Sequence, residues 1–227
     1  MRSRRHPHHG VWDQKSNGRL RAVIFDYGFT ISSEHYFNVP HPQIPDWNAL
    51  IQKHVFGDKD FALDWMTGRA GLDDIAAILH GLTGENCESI GRYLRQGCTS
   101  LKENMAGIEF AKDLKRSDVP IALVTANFDV FSDVVVPEHG YDDLFPVIIN
   151  SSDHGEIDKR KLWPIAFKRL GQGISYRDCL LIEDSDKELD FFKAGGGQAI
   201  KYTSEVAFAS QISEYSTSLG ISTDDNQ

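Results

Sequence analysis

Short apolar runs recur along the chain and alternate with stretches of helical spacing. AVIF (22–25), IALVT (121–125), PVIIN (146–150), CLLIE (179–183) and the weaker QAIKY (198–202) are continuously apolar rather than alternating. Strands covered on both faces read this way, as in parallel sheets flanked by helices. Helical spacing predicts helices over 107–116, 129–139, 163–170 and 186–194. Pro164 suits a first helical turn, and Gly195-Gly196-Gly197 is a strong stop for the last of these helices. The β–α alternation predicts an α/β fold with a doubly wound parallel sheet.

One region breaks the alternation. Between residues 32 and 103 no strand pattern stands out, and VPHPQIP (39–45) is loop-like. WNALIQKHVF (47–56), FALDWM (61–66), LDDIAAILHGL (72–82) and ESIGRYLRQGC (88–98) carry helical spacing. The expected organisation is a core from 19–31 and 104–213, a helical insertion over 32–103, and flexible tails at 1–18 and 214–227. Ligands of open α/β sheets bind at the carboxyl ends of the strands. An insertion leaving the first strand there would cover the site.

Composition narrows the function classes. The chain has 227 residues, 41% hydrophobic and 25% charged, with a net charge of −9. That balance is globular and lacks the basic footprint of a nucleic-acid binder. It also argues against attraction to anionic membranes, and no apolar run approaches a membrane span. Three widely spaced cysteines, Cys87, Cys98 and Cys179, with no CxxC, fit a reducing compartment, so a cytoplasmic setting is expected. The basic start contains His6, His8 and His9 but lacks the apolar centre of a secretory signal.

The chemistry gathers at the predicted strand ends. Asp26 ends the first strand, with Thr30 four residues on. Thr125-Ala126-Asn127 ends the second, and Glu183-Asp184 ends the fourth, while Lys159 and Lys161 lie between the third and fourth. A carboxylate closing a buried apolar run needs a partner. Parallel strands would bring these groups to one edge. Three carboxylates, two hydroxyls and a lysine there suit a divalent cation and a phosphate, and magnesium favours such oxygen-rich sites. Thr125 and the backbone N–H groups after it suit phosphate oxygens.

This set resembles the haloacid dehalogenase (HAD) superfamily over about residues 19–202. The family's Asp-x-Asp-x-Thr motif reads Asp26-Tyr27-Gly28-Phe29-Thr30; its strand-end hydroxyl is Thr125; its acidic pair is Glu183-Asp184, with Glu188 as the later acid. Lys159, 25 residues before Asp184, suits the motif lysine, with Lys161 as its rival. The insertion resembles a C1-type helical cap. The resemblance implies a magnesium-dependent phosphatase of a small phosphorylated metabolite, working through an aspartyl-phosphate on Asp26. It implies magnesium held by Asp26, Asp184 and the carbonyl of Gly28, with Glu183 assisting directly or through water, and phosphate held by Thr30, Ala126, Asn127 and Lys161 alongside Thr125 and Lys159.

The chain departs from the family pattern at Gly28, where the phosphatases carry the general acid and base. Glu34, His35, His41 and His54 are candidate replacements. Other expectations are a carbon–halogen or carbon–phosphorus hydrolase, the latter needing a lysine such as Lys53 or Lys59, or a phosphometabolite-binding protein without turnover. Substrate choice is expected to rest on cap residues such as Tyr36, Phe37, Trp47, Trp65 and Arg69.

Overall fold

The computed structural model describes residues 20–37 and 39–219, without the side chains of 216–218. His6, His8 and His9 and the terminal segments 1–19 and 220–227 lie outside the described residues. Among the described residues five strands form one parallel sheet: β1 Ala22–Phe25, β2 Ile121–Thr125, β3 Val147–Asn150, β4 Cys179–Glu183 and β5 Gln198–Lys201, in the spatial order β3-β2-β1-β4-β5. The central strands are apolar throughout because both faces are covered. Val23 and Phe25 enter one core, while Ala22 and Ile24 enter the other. β5 is an edge strand with only Ile200 fully buried, which explains its weaker pattern.

Among the described residues four helices separate β1 from the core helix that precedes β2. They are α1 Trp47–Ile51, which widens into a π-turn over Gln52–Phe56, α2 Lys59–Met66, α3 Leu72–Thr83 and α4 Cys87–Thr99. Asp58 caps α2 through Phe61 N–H (3.0 Å), and Asn86 caps α4 through Glu88 N–H (2.8 Å). No strand lies between β1 and β2 among the described residues.

The core helices follow. They are α5 Met105–Arg116, a π-turn Phe131–Val135 leading into α6 Val136–His139, α7 Tyr141–Leu144, α8 Ser151–His154, α9 Lys159–Leu170, α10 Asp186–Ala194 and α11 Glu205–Leu219. Leu162, Trp163, Ala166 and Phe167 of α9 and Leu189 and Phe192 of α10 cover one face of the sheet. α5, α11 and the segment after β2 cover the other.

Several boundaries differ from the sequence expectation. The helix expected from 163 begins at Lys159, because Asp158 caps it by accepting Arg160 N–H at 3.1 Å. Pro164 therefore lies inside α9, not in its first turn. The helix expected over 129–139 opens as a π-turn. α11 runs through residues 214–219, and Leu219 is buried. Pro146, which has no N–H for a ladder, stands outside β3.

Residues of α2 meet the segments that follow β2 and β3. Trp65 stacks on Phe128, just beyond β2, with centroids 3.8 Å apart, and its indole N–H donates to Asp129. Ser151, at the end of β3, lies 2.8 Å from the carbonyl of Met66. Tyr36, Phe37, Trp47 and Trp65 are all buried. α4 passes so close to Phe37 that a Cβ on Gly97 would stand 2.8 Å from the Phe37 Cα.

Candidate active site

The sheet register aligns the site. Phe25 is level with Leu123 of β2 and Ile182 of β4. The residues one or two positions on, Asp26, Thr125 and Glu183, therefore emerge at the same edge. The N–H of Asp26 donates to the carbonyl of Ile182 at 2.9 Å, which fixes the backbone that carries the carboxylate.

Lys159 joins the acids. It is the first residue of α9 and is buried. Its Nζ donates to Glu183 Oε2 at 2.7 Å and stands 2.8 Å from Asp26 Oδ1, an ion pair off the hydrogen-bonding direction. Glu183 Oε1 accepts the N–H groups of Asp184 and Ser185, each at 3.2 Å. Lys161, two residues further along α9, points elsewhere because residues two apart on a helix do not share a face. It is exposed and pairs with Glu156 at 2.6 Å. Lys161 thus stands apart from the acids that Lys159 joins.

Burial dominates the electrostatics. It pushes the Asp26 carboxyl up from 3.8 to about 6, against the pull of Lys159 and with added repulsion from Glu183. Burial also raises Glu183, again against Lys159. The same burial would lower the Lys159 ammonium, but the two carboxylates outweigh it and hold it raised and charged.

Asp26, Glu183 and Asp184 each offer a carboxylate oxygen, and the three lie within 4.8 Å of one another. This oxygen-only donor set fits a hard divalent cation. Gly28 is beside it, and a Cβ added there would meet nothing within 4 Å. The space that a side chain would enter is open.

The remaining expected residues divide. Thr30 is fully buried; its Oγ1 has no protein partner and its carbonyl accepts Asn104 Nδ2–H at 3.0 Å. Thr125 is buried at the end of β2, followed by the partly buried Ala126. Asn127 is buried, but its N–H donates to Ser151 Oγ at 2.8 Å and its Oδ1 accepts Phe128 N–H at 2.9 Å. Its backbone donor is thus spent within the protein rather than presented to phosphate.

Of the candidate replacement acids, Glu34 accepts Lys102 N–H at 3.0 Å. His41 is buried between Trp47 and Tyr93. His54 is partly buried in the π-turn that continues α1. His35 is exposed and meets Phe29 edge-on at 4.9 Å. Arg69 pairs with Asp64 at 2.6 Å on the surface, and Lys53 and Lys59 are exposed. Asn104 was invisible to sequence reasoning, since a lone asparagine 74 positions from Thr30 carries no pattern.

No family model matches the chain, and no curated protein matches it. Solved structures do. A protein from Porphyromonas gingivalis described as a predicted HAD-like family hydrolase is 15% identical, with a TM-score of 0.60 over 81% of this chain and 91% of that one. A HAD family enzyme from Bacteroides thetaiotaomicron, in complex with magnesium and inorganic phosphate, is 13% identical, with a TM-score of 0.55 over 80% and 93%. The L-2-haloacid dehalogenase of Xanthobacter autotrophicus, with chloropropionic acid covalently bound, is 14% identical, with a TM-score of 0.56 over 86% and 83%. At these identities the likeness carries the architecture alone: five parallel strands with flanking helices belong to the HAD-like fold, and this chain has that fold.

Proposed function

We propose that this protein is a magnesium-dependent phosphohydrolase of a small phosphorylated molecule. The observation that carries this reading is Lys159 bound between Asp26 and Glu183, with Asp184 completing an oxygen cluster beside it. Asp26 is the nucleophile, as carboxylates are in aspartyl-phosphate enzymes. Lys159 keeps Asp26 oriented and lends positive charge to the phosphoryl oxygens. Glu183 has both oxygens engaged, so it holds Lys159 in place, while Asp26, Asp184 and the carbonyl of Gly28 hold the cation. When bound, magnesium supplies charge neutralisation for the phosphoryl group. The Thr125 hydroxyl binds a phosphoryl oxygen. Residues 32–103 act as a cap that excludes water.

The magnesium and phosphate bound to the Bacteroides enzyme support this reading. Gly28 supports a second one, carbon–halogen cleavage, because a glycine there offers no side-chain proton donor. The test is release of phosphate from p-nitrophenyl phosphate by wild type and Asp26→Asn, with and without magnesium. Magnesium-dependent turnover lost in Asp26→Asn is expected. Equal rates in the two proteins overturn the proposal, and chloride release from 2-chloropropionate with no phosphate release favours the second reading.

A further inference from the structure

The loop after β1 makes an unusual conformational choice. Phe29 takes the left-handed region, with φ 52, while its neighbour Gly28, the residue suited to that region, does not. A bulky residue there is an outlier. The Phe29 ring is also 45% exposed. Backbone strain of this kind concentrates at ligand sites.

Phe29 lines a cleft of about 440 Å³ together with Ser33, Asn104, Tyr202, Glu205 and Asp184. That volume is in the range of small-molecule sites. Asp184 belongs to the acidic cluster, so the cleft and the cluster share this one residue. His35 braces Phe29 edge-on, with an interplanar angle of 78°.

The second observation is chemical. Residue 28 bears no acid, and open space stands where one would project. Residue 28 gives a leaving oxygen no proton, so the oxygen's own ability to depart as an anion matters. An alkoxide, nearly as basic as hydroxide (bulk water has a pKa of about 15.7), does so poorly. A phenolate, with a conjugate pKa of about 10, does so readily.

We propose that the cleft between Phe29 and Asp184 binds the leaving group of the substrate, and that this group is an aromatic hydroxyl. The inference rests on the phosphohydrolase reading and names its substrate class: a phosphate monoester of a phenol-like alcohol rather than of a sugar or other alkyl alcohol. The Asp26 carboxylate forms a bond to phosphorus as the phosphorus–aryloxygen bond breaks. The electron pair leaves on the aryl oxygen as phenolate, and Phe29 stacks against the departing ring. Water then adds its oxygen to phosphorus and releases Asp26 as a carboxylate. Its protons pass to the phosphate product and to solvent.

The test compares kcat/KM for substituted phenyl phosphates, glycerol phosphate and acetyl phosphate, whose leaving group is good but not aromatic. Phenyl phosphates are expected to exceed glycerol phosphate by at least about 100-fold, the lower bound for a missing general acid. Phe29→Leu is expected to lower the phenyl-to-acetyl ratio by roughly three- to tenfold, the scale of one aromatic contact. Calorimetry gives a readout without turnover: phenylphosphonate binds wild type more tightly than methylphosphonate does, and Phe29→Leu erases the difference. Acetyl phosphate turnover with phenyl phosphates no better than glycerol phosphate, or phenylphosphonate affinity unmoved in Phe29→Leu, overturns the aromatic assignment and leaves the phosphohydrolase standing. Turnover of none of these esters sinks both.

Discussion

Lys159 is the keystone of the acidic edge, and replacing it with methionine tests that role. Its ammonium lies 2.8 Å from Asp26 and 2.7 Å from Glu183, and all three side chains are buried. Methionine preserves much of the stem but leaves two carboxylates without a counter-charge. Removing one partner of a buried ion pair costs about 3–5 kcal/mol. For a chain of this size each kcal/mol moves the melting temperature by about 2–4 °C, so a loss of roughly 6–20 °C is expected at neutral pH. The loss has a defined pH sign. Without Lys159 the folded Asp26 and Glu183 values rise further above their ordinary 3.8 and 4.5. An acid raised on folding costs nothing below its unfolded value and destabilises increasingly as pH climbs through its folded value. The deficit of Lys159→Met should therefore shrink towards pH 4 and widen above pH 6. The assay is thermal melting of wild type, Lys159→Met and Lys161→Met in chelator across that range. Lys161→Met should melt with wild type, and millimolar magnesium should restore part of the Lys159→Met loss. A deficit independent of pH, or one shared by Lys161→Met, would refute the reasoning.

Gly28→Asp should fold as wild type, since its Cβ meets nothing and its φ is not left-handed. It should also gain about 10²–10⁴-fold in hydrolysis of alkyl phosphates, the worth of a general acid; no gain in a glycerol phosphate assay sinks the idea that residue 28 is the missing shuttle. Asp26→Asn removes a carboxyl raised by burial from 3.8 to about 6, so it should flatten the fall in stability of the chelated protein between about pH 4 and pH 6; denaturant melts across that range check it, and an unchanged slope would contradict it. Gly97→Ala would put a Cβ 2.8 Å from the Phe37 Cα, so about 1–3 kcal/mol of overpacking cost is expected in the same melts.

The strands were legible because two-sided burial makes them continuously apolar, and β1, β2 and β4 match their runs residue for residue. The site was legible because parallel strands deliver their ends to one edge, so Asp26, Thr125, Glu183 and Asp184 could be grouped from chain order alone. Lys159 and Lys161 could not be separated until the start of α9 was known. The decisive signal was the Asp158 cap, which the more conspicuous Pro164 masked. The two π-turns carry no pattern distinct from an α-helix. The left-handed Phe29 was hidden for a different reason: a glycine next to it is where positive φ would be sought. Asn127 read as a phosphate donor because only the fold brings Ser151 to its N–H.

The most direct test of Asp26 as nucleophile is the covalent state of the enzyme during turnover. On the proposed mechanism, with no base at Gly28 to activate water, the second step should be slow and the aspartyl-phosphate should accumulate. Intact-mass and peptide mass spectrometry of wild type quenched in acid with p-nitrophenyl phosphate and magnesium should show one added phosphoryl group, on the peptide containing Asp26. Asp26→Asn should show none. Steady turnover with no adduct in wild type, or the same adduct in Asp26→Asn, would contradict the account.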